Sequence, residues 1–144
     1  MSHHDTALRV RYAETDQMGV VYHANYLIWF EVGRVELLRS LGFNYKEMET
    51  QDDCHIVVAD VHCRYHRPAR YDDVLRVRTR IAKSGMRMIK FSYELFREAD
   101  EELLATGETT HLICGKNGRP KSLPEKYRAV LAVPAAKAAK RRDA

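Results

Sequence analysis

Between residues 75 and 81 the chain alternates without a break, with Leu75, Val77, Thr79 and Ile81 on one parity and Arg76, Arg78 and Arg80 on the other. A period of two sends these sets to opposite faces of a strand, so the segment belongs in a sheet buried on one side and solvated on the other. Residues 88 to 97 repeat the pattern with Ile89, Phe91, Tyr93 and Leu95. Residues 55 to 66 set Val57, Ala59, Val61, Cys63 and Tyr65 against Asp60, His62, Arg64 and His66, and residues 103 to 114 add a less regular apolar run. Pro68 with Asp72 and Asp73, Ser84-Gly85 and Asn117-Gly118 mark turns between or after these runs. Leu8, Val10 and Tyr12, alternating with Arg9 and Arg11, predict a further strand at the start.

One segment breaks the strand rhythm. From Asn25 to Leu41, Leu27, Phe30, Leu37, Leu38 and Leu41 recur at helical spacing, and Gly42 supplies a stop. Ile28, Val32 and Val35 widen the apolar surface beyond that of an ordinary surface helix, so this helix is expected to be largely enclosed. A strand, an enclosed helix and four successive strands predict an α+β architecture, an antiparallel sheet wrapped around one long helix, with Pro124 opening a short closing helix. A chain of 144 residues with 45% hydrophobic content fits one domain. We assign it residues 1–134 and read 135–144, with Lys137, Lys140, Arg141 and Arg142 among alanines, as a basic, disordered tail.

Several function classes lose support on composition. No apolar run approaches the roughly 18 residues of a membrane span, and the start, MSHHDTAL, lacks the form of a secretory signal, which predicts a cytoplasmic protein without a membrane span. Cys54, Cys63 and Cys114 are odd in number and far apart, and read as reduced structural thiols. His3 and His4 sit in the terminal segment, and His62 and His66 lie four apart on a strand rather than a helix, so no metal site is expected. The net charge of +4 is carried largely by the tail, and no nucleic-acid partner is expected.

Residues 12 to 31, YAETDQMGVVYHANYLIWFE, place a carboxylate, Asp16, in a short loop that runs through Gly19 into the start of the helix. Free N–H groups at a helix start, with its partial positive charge, can hold a developing oxyanion, and a nearby carboxylate can serve as base or nucleophile. Thioester cleavage needs little more, because the thiolate leaves readily, and it calls for no cofactor.

The pattern Tyr12-x-x-Thr15-Asp16-x-x-Gly19-x-Val21-Tyr22-His23-x-x-Tyr26, with Arg67-Pro68-Ala69-Arg70-Tyr71-Asp72-Asp73 after the second run, resembles the 4-hydroxybenzoyl-CoA thioesterase-like branch of the hotdog-fold acyl-CoA thioesterases. The resemblance covers about residues 8 to 131 and implies a βαββββ hotdog subunit that forms a homodimer or homotetramer and binds acyl-CoA between subunits. It places the catalytic carboxylate on Asp16 and the backbone N–H that polarises the thioester carbonyl on His23. Gly19, Val21, Tyr22 and Tyr26 are then expected at the substrate pocket. Lys83, Arg87, Lys90, Arg119 and Lys121, near predicted hairpin ends, are candidates for the coenzyme A phosphates.

Plainer readings stand beside these. An Asp ahead of a glycine is often only a turn residue, and the aromatics Tyr22, Tyr26, Trp29 and Phe30 at helical spacing are often plain core. Glu31 and Arg34, three apart, are expected to form a salt bridge, and Arg76, Arg78 and Arg80 a solvated face. Hydrolysis of an acyl-CoA thioester is the leading function. A hotdog dehydratase or hydratase using His23, and a non-catalytic acyl-CoA-binding module, are the alternatives.

Overall fold

The computed structural model describes residues 3–132; the assigned boundary at 134 and the basic tail lie outside them. In chain order the elements are β1 (His4–Arg9), a 3-10 turn at Tyr12–Glu14, α1 (Asn25–Ser40), α2 (Tyr45–Thr50), β2 (His55–Tyr65), β3 (Val74–Ser84), β4 (Met88–Arg97), β5 (Glu102–Cys114) and α3 (Glu125–Leu131). The strands form one antiparallel sheet in the order β1-β3-β4-β5-β2, which leaves β2 at an edge. The predicted hotdog subunit is therefore present, with α1 on the inner face.

The alternating residues go where their period requires. Leu75, Val77 and Thr79 of β3 and Ile89, Phe91, Tyr93 and Leu95 of β4 are buried on the helix side. On the outer face Arg76 pairs with Glu98 and Glu101, Arg78 with Asp5, and Arg80 with Glu94. The arginine face is thus an ion-paired surface. Two glycines let α1 sit low on the sheet. A Cβ at Gly107 would stand 2.4 Å from Phe30, and one at Gly33 would stand 2.4 Å from the Thr79 hydroxyl. Phe30 fills the space over Gly107 and stacks on Tyr93 with centroids 4.3 Å apart. Gly42, at φ +94°, ends the helix as its position predicts, and the Phe43 N–H returns to the Leu38 carbonyl.

Five expectations need correction. Tyr12 is not in the first strand, which ends at Arg9; the chain turns into a 3-10 turn there and leaves Tyr12 77% exposed. His4, treated as part of a terminal segment, is the first residue of β1 and pairs with Thr79. In β2 a register shift between Val58 and Asp60 changes the phase, so Ile56 and Val58 share the inner face with Val61, Cys63 and Tyr65, and Val57 does not. The stretch after Gly42 contains α2, capped by the Asn44 side chain accepting from the Glu47 N–H, a start signal the sequence does contain. Helix α1 is not fully enclosed within the subunit: Leu27, Ile28 and Val32 remain exposed, opposite exposed Val58 and Val61 on β2.

Candidate active site

Glu14 organises the site, although its sequence position gives no hint of this. It is buried, its Oε1 accepts the Arg11 backbone N–H at 2.7 Å and its Oε2 accepts the Trp29 indole N–H at 3.2 Å. Its carbonyl oxygen accepts both the Tyr22 N–H and the Asn25 side-chain amide, each at 2.9 Å. One residue thus binds both the 3-10 turn and the start of α1.

The loop between them is closed on itself. Thr15 and Val21 form an antiparallel bridge, the Asp16 N–H donates to the Val20 carbonyl at 2.8 Å, and the Gly19 N–H returns to the Asp16 carbonyl at 3.0 Å. Gly19 sits at φ +81°, a conformation that a side chain disfavours. Asp16 Oδ1 accepts the Met18 N–H at 2.9 Å and the Val20 N–H at 3.4 Å. Its Oδ2 has no partner among the described residues. The Asp16 carboxylate is therefore both a turn group, as the plainer reading holds, and a carboxylate with one oxygen left for chemistry.

The opposite wall is the start of α1. No side chain caps it, and the first bonds are short-range, Asn25 N–H to Tyr22 at 3.0 Å and Tyr26 N–H to His23 at 3.3 Å. The His23 and Ala24 N–H groups find no acceptor among the described residues. The floor comes from the Arg67–Asp73 loop: the Ala69 carbonyl accepts the Val21 N–H at 2.9 Å, and the Ala69 N–H donates to the buried Tyr26 hydroxyl at 3.1 Å. Arg97 holds that loop from β4 through the Pro68 carbonyl and the Asp73 carboxylate. Burial pushes the Tyr26 phenol above its usual range, so it stays protonated.

These groups enclose a cavity of about 310 Å³ lined by Asp16, Val20, Val21, His23, Tyr26, Tyr65, His66, Arg67 and Pro68. Four expected residues, Asp16, Val21, His23 and Tyr26, meet there. Gly19 and Tyr22 do not line it; Gly19 shapes the turn, and Tyr22 lies outside with its ring 4.6 Å from the His23 ring. Tyr65 and His66 read as strand residues and Arg67 as the start of the supporting motif, none of them with a place in the pocket, because only the end of β2 brings them to the loop.

The five expected phosphate cations stand elsewhere. The β3–β4 turn and the segment after β5 lie at the His55 end of β2, whereas the cavity lies at its Tyr65 end, a separation of roughly 30 Å at ~3.3 Å per residue. Lys121 donates to the carbonyls of Asp52 and Asp53, and Lys90 pairs with Glu108 at 3.5 Å. Lys83, Arg87 and Arg119 form no ion pair among the described residues.

A second cavity, about 220 Å³, continues along the groove between α1 and β2, lined by Leu27, Ile28, Glu31, Arg34, Val58, Val61 and Thr109. The expected Glu31–Arg34 salt bridge does not form. Arg34 turns toward the sheet, with Nη1 3.5 Å from the Tyr93 hydroxyl, while Glu31 stays exposed. Tyr93 and Thr109 hydroxyls are 2.6 Å apart, and His111 Nε2 reaches the same Thr109 oxygen at 2.8 Å. Burial, then the nearby Arg34 charge, lowers the His111 pKa to about 4.

The chain also resembles known proteins. Residues 10–131 match the model of the thioesterase-like superfamily. The chain is 42% identical over 107 residues to a Bacillus subtilis protein provisionally named acyl-CoA thioesterase YneP, covering 74% of this chain and 75% of that one. It is 33% identical over 124 residues to acyl-CoA thioesterase YbgC of Haemophilus influenzae, covering 85% and 89%. Among solved structures, a DHNA-CoA thioesterase from Staphylococcus aureus superposes with a TM-score of 0.83 at 32% identity, over 99% of this chain and 92% of that one. A 4-hydroxybenzoyl CoA thioesterase bound to 4-hydroxybenzoyl CoA shares the fold at 16% identity, with a TM-score of 0.83 over 90% and 99%.

Proposed function

The chain belongs to the thioesterase-like superfamily and is an acyl-CoA thioester hydrolase, and from that premise we propose that Asp16 drives the reaction through its free oxygen. The observation that carries this reading is the asymmetry of the carboxylate: Oδ1 is held by the Met18 N–H, while Oδ2 is unpartnered beside the α1 start. The thioester carbonyl oxygen accepts the His23 N–H, which stabilises the negative charge that gathers there as the tetrahedral species forms. Asp16 either takes a proton from the attacking water or attacks the carbonyl carbon itself. The C–S bond breaks and the thiolate leaves and is protonated; where Asp16 has attacked, water then hydrolyses the mixed anhydride and frees Asp16, so both routes end in a carboxylic acid and free coenzyme A. Val21 and Tyr26 bound the acyl side of the reacting centre.

We place the complete site in a homodimer. The unpaired edge of β2 and the exposed apolar residues Leu27, Ile28, Val32, Val58 and Val61 favour a second copy docked antiparallel along β2. A twofold arrangement of that kind brings the partner's His55 end beside this subunit's Tyr65 end. It also lets Lys83, Arg87 and Arg119, roughly 30 Å from their own subunit's cavity at ~3.3 Å per residue along β2, serve the neighbouring site. The free thiols of Cys54, Cys63 and Cys114 fit a reducing, cytoplasmic setting.

The direct test is thiol release from short-chain, long-chain and aromatic acyl-CoAs. Hydrolysis of at least one class supports the reading; consumption of an enoyl-CoA without thiol release supports a hydratase instead. Light scattering of the purified chain tests the dimer, and a monomer that hydrolyses acyl-CoA would break it.

A further inference from the structure

The Tyr65 hydroxyl stands at the edge of the cavity. Tyr65 is the last residue of β2, and its phenolic O–H donates to the His23 carbonyl at 3.0 Å, across 42 positions of sequence. Its ring stands edge-on to Tyr26 at 4.9 Å and to His23 at 6.4 Å. Among the described residues the only other donor to that carbonyl is the Tyr26 N–H, at 3.3 Å.

From this geometry, and resting on the thioesterase reading above, we infer that Tyr65 is a positioning residue for the oxyanion-binding backbone at the start of α1. His23 precedes the helix, no side chain caps α1, and the residues leading into it are joined by i to i+3 bonds, Asn25 to Tyr22, Tyr26 to His23 and Leu27 to Ala24, so the His23 N–H lies outside the helical ladder. Donors that stabilise an oxyanion act only when held in place beforehand. The Tyr65 hydroxyl ties this backbone to the sheet, which is rigid. It bonds to the carbonyl of the same residue whose N–H faces the thioester, and so restrains the backbone rotation that would swing the His23 N–H out of place. Burial raises the Tyr65 pKa, first by desolvation and then through Cys63, so the hydroxyl remains a donor across the assay range.

Tyr65→Phe removes the hydroxyl and keeps the ring contacts. The expected result is a kcat lowered about tenfold, with KM, melting temperature and the shape of the pH profile unchanged. Two results overturn the inference: a kcat equal to wild type, or a loss that appears as a raised KM or a lowered melting temperature with kcat intact. The wild-type chain run on the same acyl-CoA substrates separates the two levels. Wild-type inactivity would overturn the thioesterase reading itself, whereas an active wild type matched by an equally active Tyr65→Phe would overturn this inference alone.

Discussion

Glu14 and Asp16 are two carboxylates two residues apart, and the fold treats them in opposite ways. Glu14 is buried with both oxygens occupied, by the Arg11 N–H and the Trp29 indole, and its position holds turn and helix together. Asp16 is half-buried, with one oxygen occupied and the other facing a cavity. The histidines divide along the same line: His23 stands exposed at the cavity, and His111 lies buried among Thr109, Phe91 and Arg34. A saturated, enclosed group contributes to holding the fold, whereas a group with a vacant valence facing a cavity is free for chemistry.

The strongest way to break this contrast is at Asp16. Asp16→Asn keeps an Oδ1 that can accept the Met18 N–H, so the loop should hold its shape while the charge is lost. Thiol release should fall by at least about 100-fold with the melting temperature unchanged. Substantial residual activity would remove Asp16 from the mechanism.

The next effect is on stability and comes from His111. Its imidazole protonates near 6.5 in the unfolded chain and near 4 in the folded one, so between those values the unfolded chain binds more protons. Stability from this group is complete above about pH 6.5 and is lost as the pH falls toward 4, by up to about 3 kcal/mol. Denaturant titrations across this range, at one protein concentration, should show the fall for wild type and a shallower one for His111→Gln. Equal slopes would contradict the assignment.

Glu14→Ala should reverse the signature of Asp16→Asn. It strips partners from the Trp29 indole and the Arg11 N–H, which costs about 2 kcal/mol in the same titration, while kcat falls less than about tenfold. The smallest effect is expected at His23. Its ring packs on Tyr22 and has no hydrogen-bond partner among the described residues, so His23→Gln should leave kcat within about threefold of wild type. A loss beyond tenfold would assign the imidazole a part in the reaction.

Much of the subunit is legible in the chain because period-two and helical spacing are local properties. Leu75 to Ile81, Ile89 to Leu95 and the stop at Gly42 announce themselves, and the loop motif marks Asp16 and His23. What the periodicity misses has a physical cause in each case. The register shift between Val58 and Asp60 inserts a residue that no pattern of residue types predicts, and the first strand ends early because Glu14 pulls the chain into a turn. The Asn44 cap of α2 was available as a signal and lay among polar residues that masked it.

The sequence by itself determined which residues share a face, where the helix stops and which loop carries the carboxylate, since these follow from backbone geometry within a few residues. Only the tertiary structure decided that Tyr65 and Ala69 converge on that loop. It also decided that Arg34 turns to Tyr93 instead of Glu31, and that the basic hairpin ends stand at the far end of the sheet. Those outcomes depend on strand order and on how low α1 sits over Gly107, and contacts across forty or more residues leave no periodic trace in the chain.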